Sequence, residues 1–232
     1  PTPSSAASDV YKRQFQDPLR EGADLMTGSS HKTFPGPQGG FLLSSSEDET
    51  FHRRLNNAMF PGVCSSYHLH HVAGKVMALA EFMEYGEAYA TDIVSNARAF
   101  AGALAAEGFD VLAESRGYTA SHQVLTRHGE LDSGAGAKAA QRLEEAGIIT
   151  NMNMLPGDTK AMTPSGLRLG VQELTRVGFS NDDMEEVASF YARVLLHGED
   201  PAAVRADVHA LKQQRQTIRY CFNEDERSGY PE

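Results

Sequence analysis

Lys32 is the side chain with the clearest chemical use. It lies in the hydroxyl-rich stretch TGSSHKT, residues 27 to 33. A lysine attacks an aldehyde only after losing its proton, and a turn walled by Phe34 and Phe41 would desolvate the ammonium and favour the neutral amine. A solvated lysine in a Gly-Pro loop is the plainer alternative. Ser29, Ser30 and Thr33 could donate to a phosphate, although serine and threonine also populate turns by bonding to the backbone. Arg168 sits in SGLRLG, residues 165 to 170, where strand alternation turns it away from Leu167 and Leu169. There a guanidinium could grip a carboxylate through two parallel hydrogen bonds, or simply cover a solvated strand face. His68 and His71, in YHLHH, stand one helical turn apart, a spacing zinc can use. No motif supplies a third ligand, so they read as polar histidines or cofactor neighbours and no metal is expected. Asn151 and Asn153 share one strand face and could bond a ligand or the adjacent loop.

The elements that must position these residues follow from periodicity and turn chemistry. Ala23 to Met26 predicts a short strand, and Pro35, Gly36, Pro37, Gly39 and Gly40 predict a turn before a second strand at Phe41 to Leu43. Ser46 followed by Glu49 has the capping-box spacing for a helix to about Asn57, and Pro61-Gly62 breaks it. Apolar positions from Leu69 to Leu104 recur every three or four residues, predicting a long helix with Gly86 as its weak point. Beyond Gly108 the texture changes. Phe109 to Ala113, His122 to Thr126 and Ile148 to Leu155 are strand-like around a Gly- and Ala-rich helix at about 135 to 146, a small α+β arrangement. Ser180 starts another helix, and Asp200-Pro201 starts the last with cap and first-turn proline in order. From Arg219 onward a mobile polar tail is expected.

Composition narrows the partners. The chain of 232 residues is 41% hydrophobic and 22% charged, ordinary for a folded protein. Its formal net charge of -10 argues against a nucleic-acid surface, which needs clustered cations. Only two cysteines occur, so no disulfide framework is expected and a reducing, cytoplasmic setting fits. No apolar run reaches the roughly 20 residues of a membrane helix. Residues 1 to 14, PTPSSAASDVYKRQ, resemble translated sequencing-adapter sequence and are set aside as a non-native or disordered segment.

Together the segments carry a resemblance. FQDPLREGADLMTGSSHKTFPGPQGG is similar to the cofactor-lysine region of serine hydroxymethyltransferases, and FPG at 60 to 62, SGLRLG at 165 to 170 and LTRVGF at 174 to 179 follow in that family's order. The similarity runs from Phe15 to about residue 212. After FPG the chain reads CSSYHLHH where many bacterial and eukaryotic members carry glutamine and two glycines. Around the Gly-Pro turn it has Pro35 and Gln38 where they have arginines. Both features look like the archaeal-like branch.

The resemblance implies an α/β, fold-type-I pyridoxal-phosphate-dependent transferase of aminotransferase-like form. Residues 15–85 would end the cofactor-binding large domain, 86–212 would form a bridging helix and small C-terminal domain, and 213–232 a polar tail. It implies that Lys32 holds the aldehyde of pyridoxal 5'-phosphate and that His31, Ser29 and Ser30 line its pocket. Gly62 would approach a cofactor phosphate from a neighbouring subunit, and Arg168 would bind the amino-acid carboxylate. The implied reaction moves a one-carbon unit between serine and a reduced pterin, tetrahydrofolate or an analogue, in a cytoplasmic homodimer or higher homo-oligomer. A related aldolase or transaldolase, or an enzyme of α-methylserine, shares the lysine. The family's aspartate for the pyridine nitrogen, its ring-stacking histidine and its catalytic glutamate belong upstream of Phe15, so the sequence is expected to be N-terminally incomplete. A non-catalytic chain that only packs against other subunits is the reading outside enzymes.

Overall fold

The computed structural model describes residues 17–223. The segment 1–14 and the tail from residue 224 onward lie outside the described residues. The chain divides into two compact units, Pro1–Ala90 and Thr91–Glu232, and the division falls inside one helix.

The first unit is built on an antiparallel hairpin of β1 (Met26–His31) and β2 (Pro35–Leu43). Sequence reasoning placed a strand at Ala23–Met26 and a turn across the Pro-Gly segment. Instead, the hydroxyl-rich stretch is itself the first strand, and Pro35, Gly36 and Pro37 lie in the second. Proline is tolerated because, among the described residues, the sheet has these two strands, so each has an edge where a missing N–H breaks no ladder. α1 (Glu49–Asn57) follows, capped by Asp48, whose Oδ1 accepts from Thr50 N at 2.8 Å. The expected cap Ser46 lies two residues earlier, and its hydroxyl accepts from Asp48 N. A wide helical turn, Ala58–Val63, leads towards α2 (Leu69–Ala106), an unbroken helix of 38 residues. Gly86 does not interrupt it. A Cβ there would stand 3.1 Å from Phe82 Cγ, so the glycine makes room for a ring.

The second unit holds a four-stranded antiparallel sheet in the order β3-β4-β6-β5. Its strands are β3 (Asp110–Val111), β4 (Gln123–Arg127), β5 (Asn151–Asn153) and β6 (Gly166–Gly170). Among the described residues four further α-helices complete it, α3 (Ala135–Glu145), α4 (Gln172–Arg176), α5 (Asp183–Leu195) and α6 (Pro201–Gln214). α3 packs on β5, β6, α5 and α6. The core is Val124, Leu167 and Leu169 from the sheet, with Leu143, Met184, Val194 and Val204 from the helices and Ile93, Ala97, Phe100 and Leu104 from the end of α2. α3 approaches β6 closely because residue 136 is glycine. A Cβ there would collide with the Gly166 backbone. Asp200 caps α6 as expected, accepting from Ala202 N at 3.0 Å, with Pro201 in the first turn.

The expected mobility from Arg219 onward is not what residues 219–223 do. Arg219 N donates to Arg176 O at 2.8 Å, Arg176 Nη1 donates to Tyr220 O at 2.7 Å, and Tyr220 OH donates to Asp92 Oδ2 at 2.6 Å. Cys221 is buried. Backbone groups, the Arg176 guanidinium, the Tyr220 hydroxyl and the buried Cys221 hold the segment, and its charged composition concealed them.

Candidate functional site

In the first unit, Lys32 opens the short connection between β1 and β2, where His31 pairs with Pro35. Its neighbours and the lysine itself behave differently. Thr33 and Phe34 are buried, and the Phe34 ring meets Phe41 and Phe82 edge-on at 6.0 and 5.4 Å between centroids. Lys32 is exposed and makes no hydrogen bond or ion pair among the described residues. The apolar wall expected around it therefore anchors the hairpin rather than desolvating the amine. A second tether is Lys75, whose Nζ donates to Gly40 O at 3.1 Å. Gly39, at φ +148, leaves the space that Lys75 occupies, since a Cβ there would stand 2.6 Å from its Nζ.

The hairpin divides the polar roles. Ser30 is buried, and its hydroxyl donates to Pro37 O at 2.7 Å, so its single proton is used within the hairpin. Ser29, half-buried, makes no such bond among the described residues. His31 Nδ1 lies 3.2 Å from Gly39 O and 3.3 Å from Gly39 N, contacts that orient the ring, and Nε2 has no hydrogen bond among the described residues. Gly62 is exposed in the wide turn after α1, and a Cβ there would meet Asn57 O at 3.0 Å. His68, His70 and His71 cluster with ring centroids 4.5 to 5.8 Å apart. Among the described residues no group of three or more His, Cys, Asp or Glu is arranged to hold a metal.

In the second unit Arg168 occupies the middle of β6, paired with Leu125 of β4 and Asn151 of β5. Leu167 and Leu169 are fully buried on the opposite face. Arg168 is half-buried, and its guanidinium makes no hydrogen bond or ion pair among the described residues. Along the same face of β6 its neighbours are Gly166 and Gly170. The Leu155 side chain covers Gly166, where a Cβ would collide with it, and Gln172 Oε1 would lie 2.6 Å from a Cβ on Gly170. Asn153 is spent locally, its Nδ2 donating to Met154 O at 2.6 Å.

Electrostatics around Arg168 keep it the local cation. His122, 5% exposed, has its pKa lowered to about 4, first by burial and then by the Arg168 charge, so it is neutral at pH 7. Sequence reasoning passed over this histidine and the two aspartates of the loop before β6. Asp158 accepts from Asp132 N at 2.7 Å, Leu155 N at 2.8 Å, Ser165 N at 3.0 Å and Ser165 Oγ at 2.8 Å. Asp132 answers by accepting from Thr159 N and Lys160 N, each at 2.8 Å, and from Thr159 Oγ1 at 2.6 Å. Each aspartate lies in a loop, and the pairing exists only once two segments 26 residues apart in sequence meet.

Comparison with known proteins places this architecture. A structure of L-threonine transaldolase from Pseudomonas fluorescens, in its internal aldimine state, is similar with a TM-score of 0.84 and 31% identity, over 94% of this chain and 49% of that one. The α/β fold is accordingly that of the fold-type-I pyridoxal-phosphate-dependent transferases. The family model described as serine hydroxymethyltransferase matches residues 7–191. Serine hydroxymethyltransferases of Thermococcus kodakarensis and Pyrococcus abyssi are each 56% identical, over 92% and 90% of this chain. That of Methanocella arvoryzae is 49% identical over 91%. The chain belongs to the serine hydroxymethyltransferase family, and it spans about half the length of the curated relatives it matches.

Proposed function

We propose that this chain carries the lysine hairpin and the carboxylate-binding strand of a pyridoxal-phosphate-dependent glycine/serine hydroxymethyltransferase, which moves a one-carbon unit between serine and a reduced pterin. The observation that carries this reading is the state of its two cations. The Lys32 amine and the Arg168 guanidinium are each without a hydrogen bond or ion pair among the described residues, the first on the turn of the β1–β2 hairpin and the second in the middle of β6. A half-buried guanidinium with no protein partner is costly unless a ligand supplies the anion.

The donor set fits the cofactor. An aldehyde requires an uncommitted primary amine, which Lys32 provides, and Ser29 and the Nε2 of His31 offer polar groups beside it. When bound, pyridoxal phosphate supplies an electron sink for charge left at the amino-acid α-carbon. Lys32 would hold the cofactor aldehyde through its Nζ. Gly62, bare of a side chain in an exposed turn, would let a phosphate approach backbone N–H groups. Arg168 would bind the substrate carboxylate bidentately and so fix the orientation of the amino acid. The neutral His122 avoids a second positive charge beside it.

Two finer readings go with this proposal. The enzyme works as a homodimer or larger assembly in the cytoplasm. An exposed apolar row on the first part of α2, Leu69, Val72, Val76 and Met83, supports the assembly, since such a row seeks cover. The second activity is β-hydroxy-amino-acid aldol or transaldol chemistry, favoured by the similarity to a threonine transaldolase. A rate with serine that rises on adding a reduced pterin supports the first activity, and a pterin-independent rate with threonine supports the second.

The primary test is covalent labelling. The purified chain is mixed with pyridoxal phosphate, reduced with borohydride and mapped by peptide mass. A pyridoxyl group confined to Lys32 and lost in Lys32→Ala is expected. Labelling spread evenly over the exposed lysines would overturn the assignment.

A further inference from the structure

The loop joining β5 to β6 is fastened by a reciprocal pair of aspartates, and its geometry bears directly on Arg168. Asp158 takes four donors from three places: Asp132 N on the loop before α3, Leu155 N at the exit of β5, and both N and Oγ of Ser165 at the entry of β6. Ser165 is fully buried, and His128 N donates to its carbonyl at 3.0 Å. Asp132 holds a left-handed backbone, φ 57, uncommon for a non-glycine residue though less so for aspartate, and a constraint holds it there. The constraint is visible. Its N–H is taken by Asp158, while its carboxylate takes Thr159 N, Thr159 Oγ1 and Lys160 N. Burial alone would raise the Asp158 pKa, but the N–H donors of Leu155, Ser165 and Asp132 and the Ser165 hydroxyl hold it well below the usual carboxylate range.

Two of the groups Asp158 fixes touch the strand that carries Arg168. Ser165 directly precedes β6, and Leu155 lays its side chain over Gly166, the position beside Arg168 on the same face. We propose that the Asp132–Asp158 brace is a positioning device for Arg168, setting the aim of its guanidinium at the substrate carboxylate by fixing Ser165 and Leu155. The inference rests on the reading of Arg168 as the carboxylate binder. Asp158 touches no substrate. It acts through the strand entry and through the leucine laid over Gly166, the neighbouring position on the arginine's face of β6.

The test uses the chain reconstituted with pyridoxal phosphate, with glycine and its carboxamide, glycinamide, as probes. In Asp158→Asn the side-chain amide faces N–H donors with a donor of its own, so at least one arm of the brace opens. Ser165→Ala removes only the hydroxyl. The expected result is a glycine affinity weakened by about tenfold in Asp158→Asn and less in Ser165→Ala, with glycinamide affinity and Lys32 labelling unchanged in both. Equal weakening of glycine and glycinamide, or loss of Lys32 labelling along with it, would overturn the proposal by making the brace a general determinant of the fold. Glycine binding unchanged in Asp158→Asn but lost in Arg168→Ala would overturn the brace and leave the arginine standing. Glycine binding unchanged in Arg168→Ala would remove the carboxylate reading and the inference together.

Discussion

The two units present their cations on very different foundations. Lys32 stands on a two-stranded hairpin rich in glycine and proline, anchored chiefly by the Phe34 ring and the Lys75 tether. Arg168 stands in a four-stranded sheet backed by fully buried Leu167 and Leu143. The part of α2 in the first unit leaves Leu69, Val76 and Met83 exposed, whereas its later residues Ile93, Ala97, Phe100 and Leu104 are buried. One helix thus serves a nearly closed core along one half and an unfilled face along the other. The second unit is stabilised by its own packing, and the first is expected to depend on further covering surface.

Substitutions can break this contrast. Leu143→Ala, at a site with 0% exposure, is expected to destabilise the second unit by about 2 to 5 kcal/mol, while Met83→Ala in the first, at 75% exposure, stays within about 0.5 kcal/mol. Urea unfolding followed by residue-resolved hydrogen exchange reads the two units separately, and comparable losses would erase the distinction.

A pH titration sharpens it. His122 and His128 both have pKa values lowered to about 4, each chiefly by burial, with Arg168 adding to the effect at His122 and Asp110 opposing it at His128. Because the folded pKa lies below the unfolded one of about 6.5, the unfolded chain takes the proton first. Stability is full above about pH 6.5 and falls as pH drops towards 4, by at most about 3 kcal/mol per histidine at the bottom of that window. His128→Gln should flatten the slope in the second unit, with its Thr126 hydrogen bond at 2.9 Å as the structural reference. An unchanged slope would place the titrating group elsewhere.

The smallest effect compares two helix caps of the same chemistry. Asp48→Ala and Asp200→Ala each remove one side-chain to backbone bond, a loss of about 1 kcal/mol. α6 buries Val204 and Leu211, so its loss should reach the whole second unit, whereas α1 buries nothing and should only fray. Equal spread of the exchange changes would mean that α1 is coupled to its unit more tightly than its burial suggests.

The same contrast decided what could be read from sequence. Strand alternation placed Leu167 and Leu169 opposite Arg168, and apolar spacing outlined α2, because those patterns record burial that this chain completes. Lys32 was legible through its motif rather than through its surroundings, since the rings thought to wall it turn inward on each other. β1 and β2 were misjudged where backbone pairing overrode composition: hydroxyl residues became a strand, and prolines sat on its open edge. The Asp132–Asp158 brace was illegible for another reason. Each aspartate looks like an ordinary turn residue until two distant loops meet.

The bracketing of Arg168 by Leu155 over Gly166 and Gln172 beside Gly170 has an entropic consequence. A free arginine side chain carries about 2 kcal/mol of rotamer freedom, and a ligand that immobilises it must overcome that loss. With the positions on either side of it along the strand face occupied, part of that freedom is expected to be surrendered when the sheet folds, so that a carboxylate would meet a guanidinium with fewer orientations left to lose and selectivity would rest on shape as well as on charge.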